Sequence, residues 1–355
     1  MLFEFDEDQQ LLRATVRDVL SKECPPAMVR SVADQGVDPM PLWRTYAELG
    51  WTELTGTSEA VELAIVLEEL GRATDPTPYL ATLTWYAPLV AGAADGSAAG
   101  DGETGTAVFD GVSAHLDPHG DGAWILDGTA HHVLDGDRAD WFAVVTDAGV
   151  FTVPAADATV HRTEAFDPLL HVADVSFWQV RVPASHRVEA DVELARDIAL
   201  TGLALTMVGA CRRVLELTLD HVRTREQFGV RIGSFQAVKH KAVDMHVAIE
   251  RATALAYFAA LTLAEEDPRR STAAAMAKAA AGECTQLVFE SGFQLFGGMG
   301  FTWENDLQFA LKRALAGELL LGGADVHRAR IAAALLDGPA TAGDQPAKER
   351  HAAAV

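Results

Sequence analysis

The sequence is short of cysteine, of positive charge and of long apolar runs, and each shortage excludes something. Its three cysteines, Cys24, Cys211 and Cys284, stand far apart with no C-x-x-C pair. Two fall in helical patterns, so all three read as reduced core residues, which fits a cytoplasmic compartment, and no metal site is expected. Lysine and arginine number 28 against 51 acidic residues, for a net charge of -23. That balance argues against nucleic acid or an anionic membrane surface as the main partner, and a phosphate-bearing ligand must find a local positive pocket. No charged start leads into an apolar stretch and no unbroken run of about 18 apolar residues occurs, so neither export nor membrane spanning is expected. What is present is a 355-residue chain that is 49% apolar, enough to fill the cores of two to three domains.

Periodicity divides the chain. Residues 1–93 read as a helical domain. Leu11, Leu12, Val16, Val19 and Leu20 follow helical spacing, a second element ends at Gly50, and a third runs from Val61 to Leu70 with Gly71 as its stop. Residues 94–190 switch to short alternating runs broken by Asp127-Gly128 and Asp135-Gly136, the pattern of a small antiparallel sandwich or barrel. Within it, Asp101 to Gly111 is Gly-rich and acidic and reads as a solvated loop. Residues 191–337 are helical again. Ser271-Thr272 can cap one helix, and Asn305 or Asp306 another. The Ala- and Pro-rich residues 338–355 have the composition of a disordered tail.

In the last helical region the stripe Leu203, Met207, Ala210, Val214, Leu217 predicts one long helix, and Val243, Val247, Ala254 a second. Between them lies a corner, Arg225-Glu226-Gln227-Phe228-Gly229 continuing through Ser234-Phe235-Gln236. Arg225 offers a charged fork suited to phosphate, and Gln227 and Gln236 can donate and accept beside it. On residue types alone, the commoner reading is an arginine paired with a helix dipole beside an aromatic stop.

The run REQFGVRIGSFQAVKHKAVDM resembles the acyl-CoA dehydrogenase family, which carries R-x-Q-F-G followed by F-Q-x-V…A-D-M; Val243 replaces the alanine. Gln294-Leu295-Phe296-Gly297-Gly298-Met299-Gly300-Phe301 resembles the family's Q-x-x-G-G-x-G-[FY], and weaker likeness extends from about Phe5 to Ala334. The resemblance implies an α+β fold with an N-terminal helical domain, a middle antiparallel β domain and a C-terminal four-helix bundle. It also implies FAD as cofactor and α,β-dehydrogenation of an acyl-CoA thioester. Arg225, Gln227, Phe228, Gln236 and Gln294, Leu295, Phe296, Gly297 and Gly298 would hold FAD, reaching across a subunit interface to its diphosphate and adenosine side.

The sequence departs from the family in the other half of that site. The T-E-P-x-x-G-S-D loop has no counterpart between Thr84 and Ala123, and His132-Val133 stands where W-[IV]-T is expected. An ungapped count from Gln294 puts Leu321 at the position of the catalytic glutamate, and leucine cannot abstract a proton. The family's other base position falls near Ala199, with Glu193 and Asp197 off register by rotation on the helix. Glu318 precedes Leu321 by nearly a turn, and a surface charge is its ordinary reading. Phe301 to Leu307 also resembles the smaller, degenerate subunits of α2β2 acyl-CoA dehydrogenases that act on bulky or sterol-derived esters. The expected function is therefore a subunit that completes FAD sites on a larger partner without a catalytic residue of its own. The alternatives are a self-sufficient homo-oligomer with Glu318 or Glu193 as a relocated base, and a non-enzymatic scaffold subunit.

Overall fold

A computed structural model describes residues 4–93, 102–118, 120 and 122–336. The chain opens with helices α1 (Glu7–Glu23), α2 (Pro26–Gln35), α3 (Met40–Glu48), α4 (Ala60–Ala73) and, after a π turn at Ala81–Tyr86, the short α5 (Ala87–Val90). Asp6 accepts from the Gln9 amide while the Gln9 side chain returns to the Asp6 amide, a capping box that starts α1. The sequence pattern missed α2, whose proline at the first turn fixes φ where no N–H is needed.

Gly71 does not stop α4. The helix runs on to Ala73, and Thr74 takes the left-handed conformation that ends it. A side chain at Gly71 would collide with the backbone of Thr206, and one at Gly209 with the carbonyl of Glu68. These glycines let the two helix backbones touch, which is why glycine stands inside a helix despite its low propensity.

Two four-stranded sheets follow. One has the order β1-β4-β5-β8, with β1 Gly105–Val108, β4 Trp141–Thr146, β5 Gly149–Pro154 and β8 Arg187–Val188. The other has the order β2-β3-β7-β6, with β2 Val112–Leu116, β3 Trp124–Leu134, β6 Thr159–Thr163 and β7 Val172–Val182. Phe142, Phe151 and Phe177 fill the space between the sheets. The pairings are antiparallel except that β1 runs parallel to β4. Part of the expected solvated loop is thus corrected: Gly105–Val108 is a buried strand, and bare Gly105 lies flat against the ring of Tyr86. Asp101 lies outside the described residues.

The third region contains α6 (Val192–Thr224), a small hairpin, α7 (Gln236–Ala264), α8 (Arg270–Phe296), α9 (Leu307–Leu319) and α10 (Ala324–Leu336). The most apolar window of α6 is 89% buried, since α4, α7, α8 and α9 all pack around it. The Val243, Val247 stripe faces outward, at 56% and 59% exposed; α7 buries Met245, Ile249, Ala252 and Ala256 instead. No side chain caps α8, because the Ser271 hydroxyl donates to Asp197 at 2.6 Å. Before α9, Asn305 Oδ1 accepts from the Leu307 amide, while Asp306 is engaged by Arg30. All three cysteines are free and buried. The proposed tail at 338–355 lies outside the described residues.

Candidate cofactor site at the helix corner

The corner is a two-residue hairpin. Glu226–Gln227 pairs with Val230–Arg231, and between them Phe228 and Gly229 take φ of 55° and 75°. Positive φ at both central residues is what a type I′ turn needs, and glycine supplies it without strain. Phenylalanine does not, so Phe228 is held in an unfavourable conformation while 93% exposed. Backbone bonds close the base: Arg225 N–H donates to His221 O at 2.8 Å, and Ile232 N–H donates to Arg225 O at 2.9 Å.

The second motif arrives from the end of α8. Gly297, with φ of 61°, terminates that helix, and Gly297 to Phe301 form a tight turn. Together the two motifs line an open cleft of about 510 Å³ that includes Arg225, Gln227, Gln294, Phe296, Gly297 and Gly298. Leu295 and Phe296, both largely buried, form part of its floor. Phe228 and Gln236 are exposed but do not line it. His221 was missed by sequence reasoning. It lies one turn before Arg225 on the same face of α6 and stacks on Phe296, ring centroids 4.4 Å apart, and burial with the neighbouring Arg225 holds its pKa low. The i, i+4 spacing was the signal.

Arg225 makes no side-chain hydrogen bond or ion pair among the described residues, although the chain carries 51 acidic groups. Gly297 and Gly298 present bare backbone, with no atom within 4 Å of where a side chain would stand. An unpaired guanidinium, amide side chains and accessible backbone form a donor set that fits the diphosphate of a dinucleotide.

A different arrangement occupies the junction of the helical layers and the sheets. Arg313 of α9 donates to Asp167 Oδ2 and to the Asp75 carbonyl, each at 2.7 Å. Arg138 binds Asp135 at 2.6 Å and the Pro76 carbonyl at 2.6 Å. Asp75 receives Tyr46 O–H at 2.9 Å and Thr77 O–H at 2.6 Å. Burial raises the pKa of both Asp75 and Asp135. A gap of about 30 Å³ remains beside this cluster, lined by Leu134, Leu170 and Leu320 as well as Arg138 and Arg313.

Beside the cluster, Ala195 and Ala199 belong to an apolar core with Trp85, Tyr86 and Leu89, against which Leu320 and Leu321 pack. Leu321 has φ of 55°, and its carbonyl bonds His327 Nε2 at 3.0 Å. None of the carboxylates considered as a base faces this core freely. Glu318 Oε1 accepts the Ala324 amide at 2.7 Å, capping α10, and Oε2 lies 3.6 Å from the buried Lys278 ammonium. Glu193 is exposed and reaches Arg330 at 3.4 Å. Asp197, two positions before Ala199, points to Ser271 and Arg270 on the far side of α6. Lys278 also donates to the carbonyls of Glu318 and Gly322, fixing the turn that carries Leu321, and burial lowers its pKa to about 8.

Two family models match the chain: the acyl-CoA dehydrogenase N-terminal domain over residues 6–94 and the C-terminal domain over residues 200–336. The acyl-CoA dehydrogenase IpdE2 of Mycobacterium tuberculosis is 33% identical over 326 residues, 89% of this chain and 93% of that protein. The crystal structure of the ChsE4–ChsE5 complex from the same organism contains a chain that superposes with a TM-score of 0.86 at 26% identity, covering 96% of this chain and all of that one. A chain of the Tcur3481–Tcur3483 steroid ACAD variant shares the fold, with a TM-score of 0.82 at 24% identity over 94% of this chain and 98% of that one. With both motifs meeting in one cleft on this fold, the chain belongs to the acyl-CoA dehydrogenase family of FAD-dependent oxidoreductases acting on acyl-CoA.

Proposed function

We propose that this chain is the non-abstracting subunit of a heteromeric acyl-CoA dehydrogenase, lending the helix corner to FAD seated largely on a partner subunit. The observation that carries the reading is a contrast in charge. Among the described residues Arg225 stands unpaired over the cleft, whereas Arg313 is tied into the layer junction by Asp167 and the Asp75 carbonyl.

In this reading Arg225 binds the diphosphate, with Gln227, Gln294 and the Gly297–Gly298 backbone beside it. Phe296 and the stacked His221 give that end a rigid, partly apolar floor. Bound FAD supplies the hydride acceptor for the oxidation. No proton abstraction is assigned to this chain. Leu321 stands where the family's base is expected, and Glu318 is committed to capping α10 and to Lys278. The ChsE4–ChsE5 likeness supports a heteromeric partner, and the steroid ACAD that shares the fold is in keeping with a bulky, ring-bearing acyl group.

Expression alone should give a chain with little bound flavin and no turnover. Co-expression with a larger acyl-CoA dehydrogenase of the same genome should give a yellow complex with fewer flavins than polypeptides. A yellow, active homomer would overturn the proposal.

A further inference from the structure

A second concavity lies away from both the corner and the junction, where α1, α2, α4, α6 and α9 converge. It encloses about 230 Å³, and its lining includes Arg17, Arg72 and Arg213 together with Leu20, Val29 and Phe309. Its arginines are held by carboxylates to unequal degrees. Glu69, itself buried, takes Arg17 at 2.6 Å and Arg13 at 3.2 Å. Glu216 takes both Nε and Nη2 of Arg72, at 2.8 and 2.9 Å. Arg213 reaches Glu216 only through Nη1, at 3.4 Å. Arg13 also reaches Glu68 at 3.3 Å and Arg72 approaches Glu69 at 3.8 Å, so Arg213, on one long bond, is the guanidinium of the wall that the protein holds least. The remaining carboxylate of the wall, Asp306, is gripped by Nε and Nη2 of Arg30, at 3.2 and 2.6 Å.

Arg213 Nε and Nη2 thus have no protein acceptor among the described residues. An apolar wall facing a guanidinium fork is the arrangement that takes an amphipathic anion: the planar fork matches a carboxylate, and the wall removes a short chain from water. The Cys24 thiol in the same wall is pushed up by burial, so it stays neutral and adds no competing charge. Arg213 and Leu217 also continue the face of α6 that presents His221 to the cofactor cleft, with Arg213 about 12 Å away along the helix axis.

We propose that this pocket is a ligand site, separate from the cofactor cleft, for a small aliphatic carboxylate, with the head group on Arg213 and the chain against Leu20, Val29 and Phe309. Calorimetric titration of the full chain with sodium hexanoate at constant ionic strength tests it, with hexanamide as the neutral probe. Saturable binding of hexanoate, at least tenfold weaker hexanamide binding, and at least a tenfold loss in Arg213→Gln are expected. Val29→Trp, which fills the apolar side, should abolish binding. Arg251→Gln, which removes an arginine paired elsewhere with Glu283, should leave it unchanged. Absence of saturable binding, or equal affinity in Arg213→Gln, overturns the proposal. Displacement by inorganic phosphate at the same concentration as hexanoate would also overturn it, because the apolar wall would then contribute nothing.

Discussion

The helix corner and the layer junction handle arginine in opposite ways. At the corner Arg225 is exposed and, among the described residues, unpaired, on a strained hairpin. At the junction Arg313 is 13% exposed, with Nε on Asp167 and Nη1 on the Asp75 carbonyl. The first arrangement keeps a charge available at the cost of local backbone strain, and the second consumes charge to hold three layers together. The junction is closed by ion pairs and hydrogen bonds, whereas the cleft at the corner is open.

The contrast can be broken most sharply at Arg313. Arg313→Ala would leave Asp167 and Asp75 buried without their cation, and unfolding by denaturant should show a loss of roughly 3–5 kcal/mol. A loss below about 1 kcal/mol would mean that charge does not close the junction.

Next comes Lys278, which pins the turn carrying Leu321. Its folded pKa of about 8 lies below the ordinary lysine value of 10.5. Below pH 8 both folded and unfolded chains carry the proton, and the burial penalty on the ammonium is fully present. As pH rises from about 8 to 10.5 the folded chain gives up the proton first, so stability increases, by on the order of 3 kcal/mol at most. Denaturation at the two ends of that window should show the rise in the native chain and not in Lys278→Met.

Arg225→Ala should lower FAD affinity of the co-expressed complex at least tenfold, about 1.4 kcal/mol, while the unfolding midpoint hardly moves. Retention of flavin in this variant would remove the corner from the cofactor site. The smallest effect is expected for Phe228→Ala, within about 0.5 kcal/mol in the isolated chain because the ring is exposed. Any larger change would show that the hairpin packs on something in solution.

The corner was legible in the sequence because its parts are local. Arg225, Gln227 and Gly229 lie within five positions, and the Gln294 to Gly298 turn is equally compact. The junction was not. Asp75, Asp135, Asp167 and Arg313 come from separate segments, and the Arg313 bond to the Asp75 carbonyl spans 238 positions. No pattern of spacing links them. Glycine misled where its role was contact: Gly71 read as a helix stop, and Gly105 as part of a loop, because the neighbour that each must clear is distant in the chain. The Val243, Val247 period was real, but periodicity alone does not say which side of a helix is buried, and α7 turns that side to solvent.

Helix α6 carries one further consequence. Its 33 residues make a rod of about 50 Å, rooted at Asp191 and ending at the arginine of the corner. Each residue advances the screw by roughly 100°. Deleting one residue beyond Glu216 would leave the composition almost untouched and the Gly209 and Glu216 contacts with α4 in place, yet swing the guanidinium a quarter-turn or more off its bearing. The aim of this site is set by a residue count made inside a buried helix, so its indels should be far less tolerated than its substitutions.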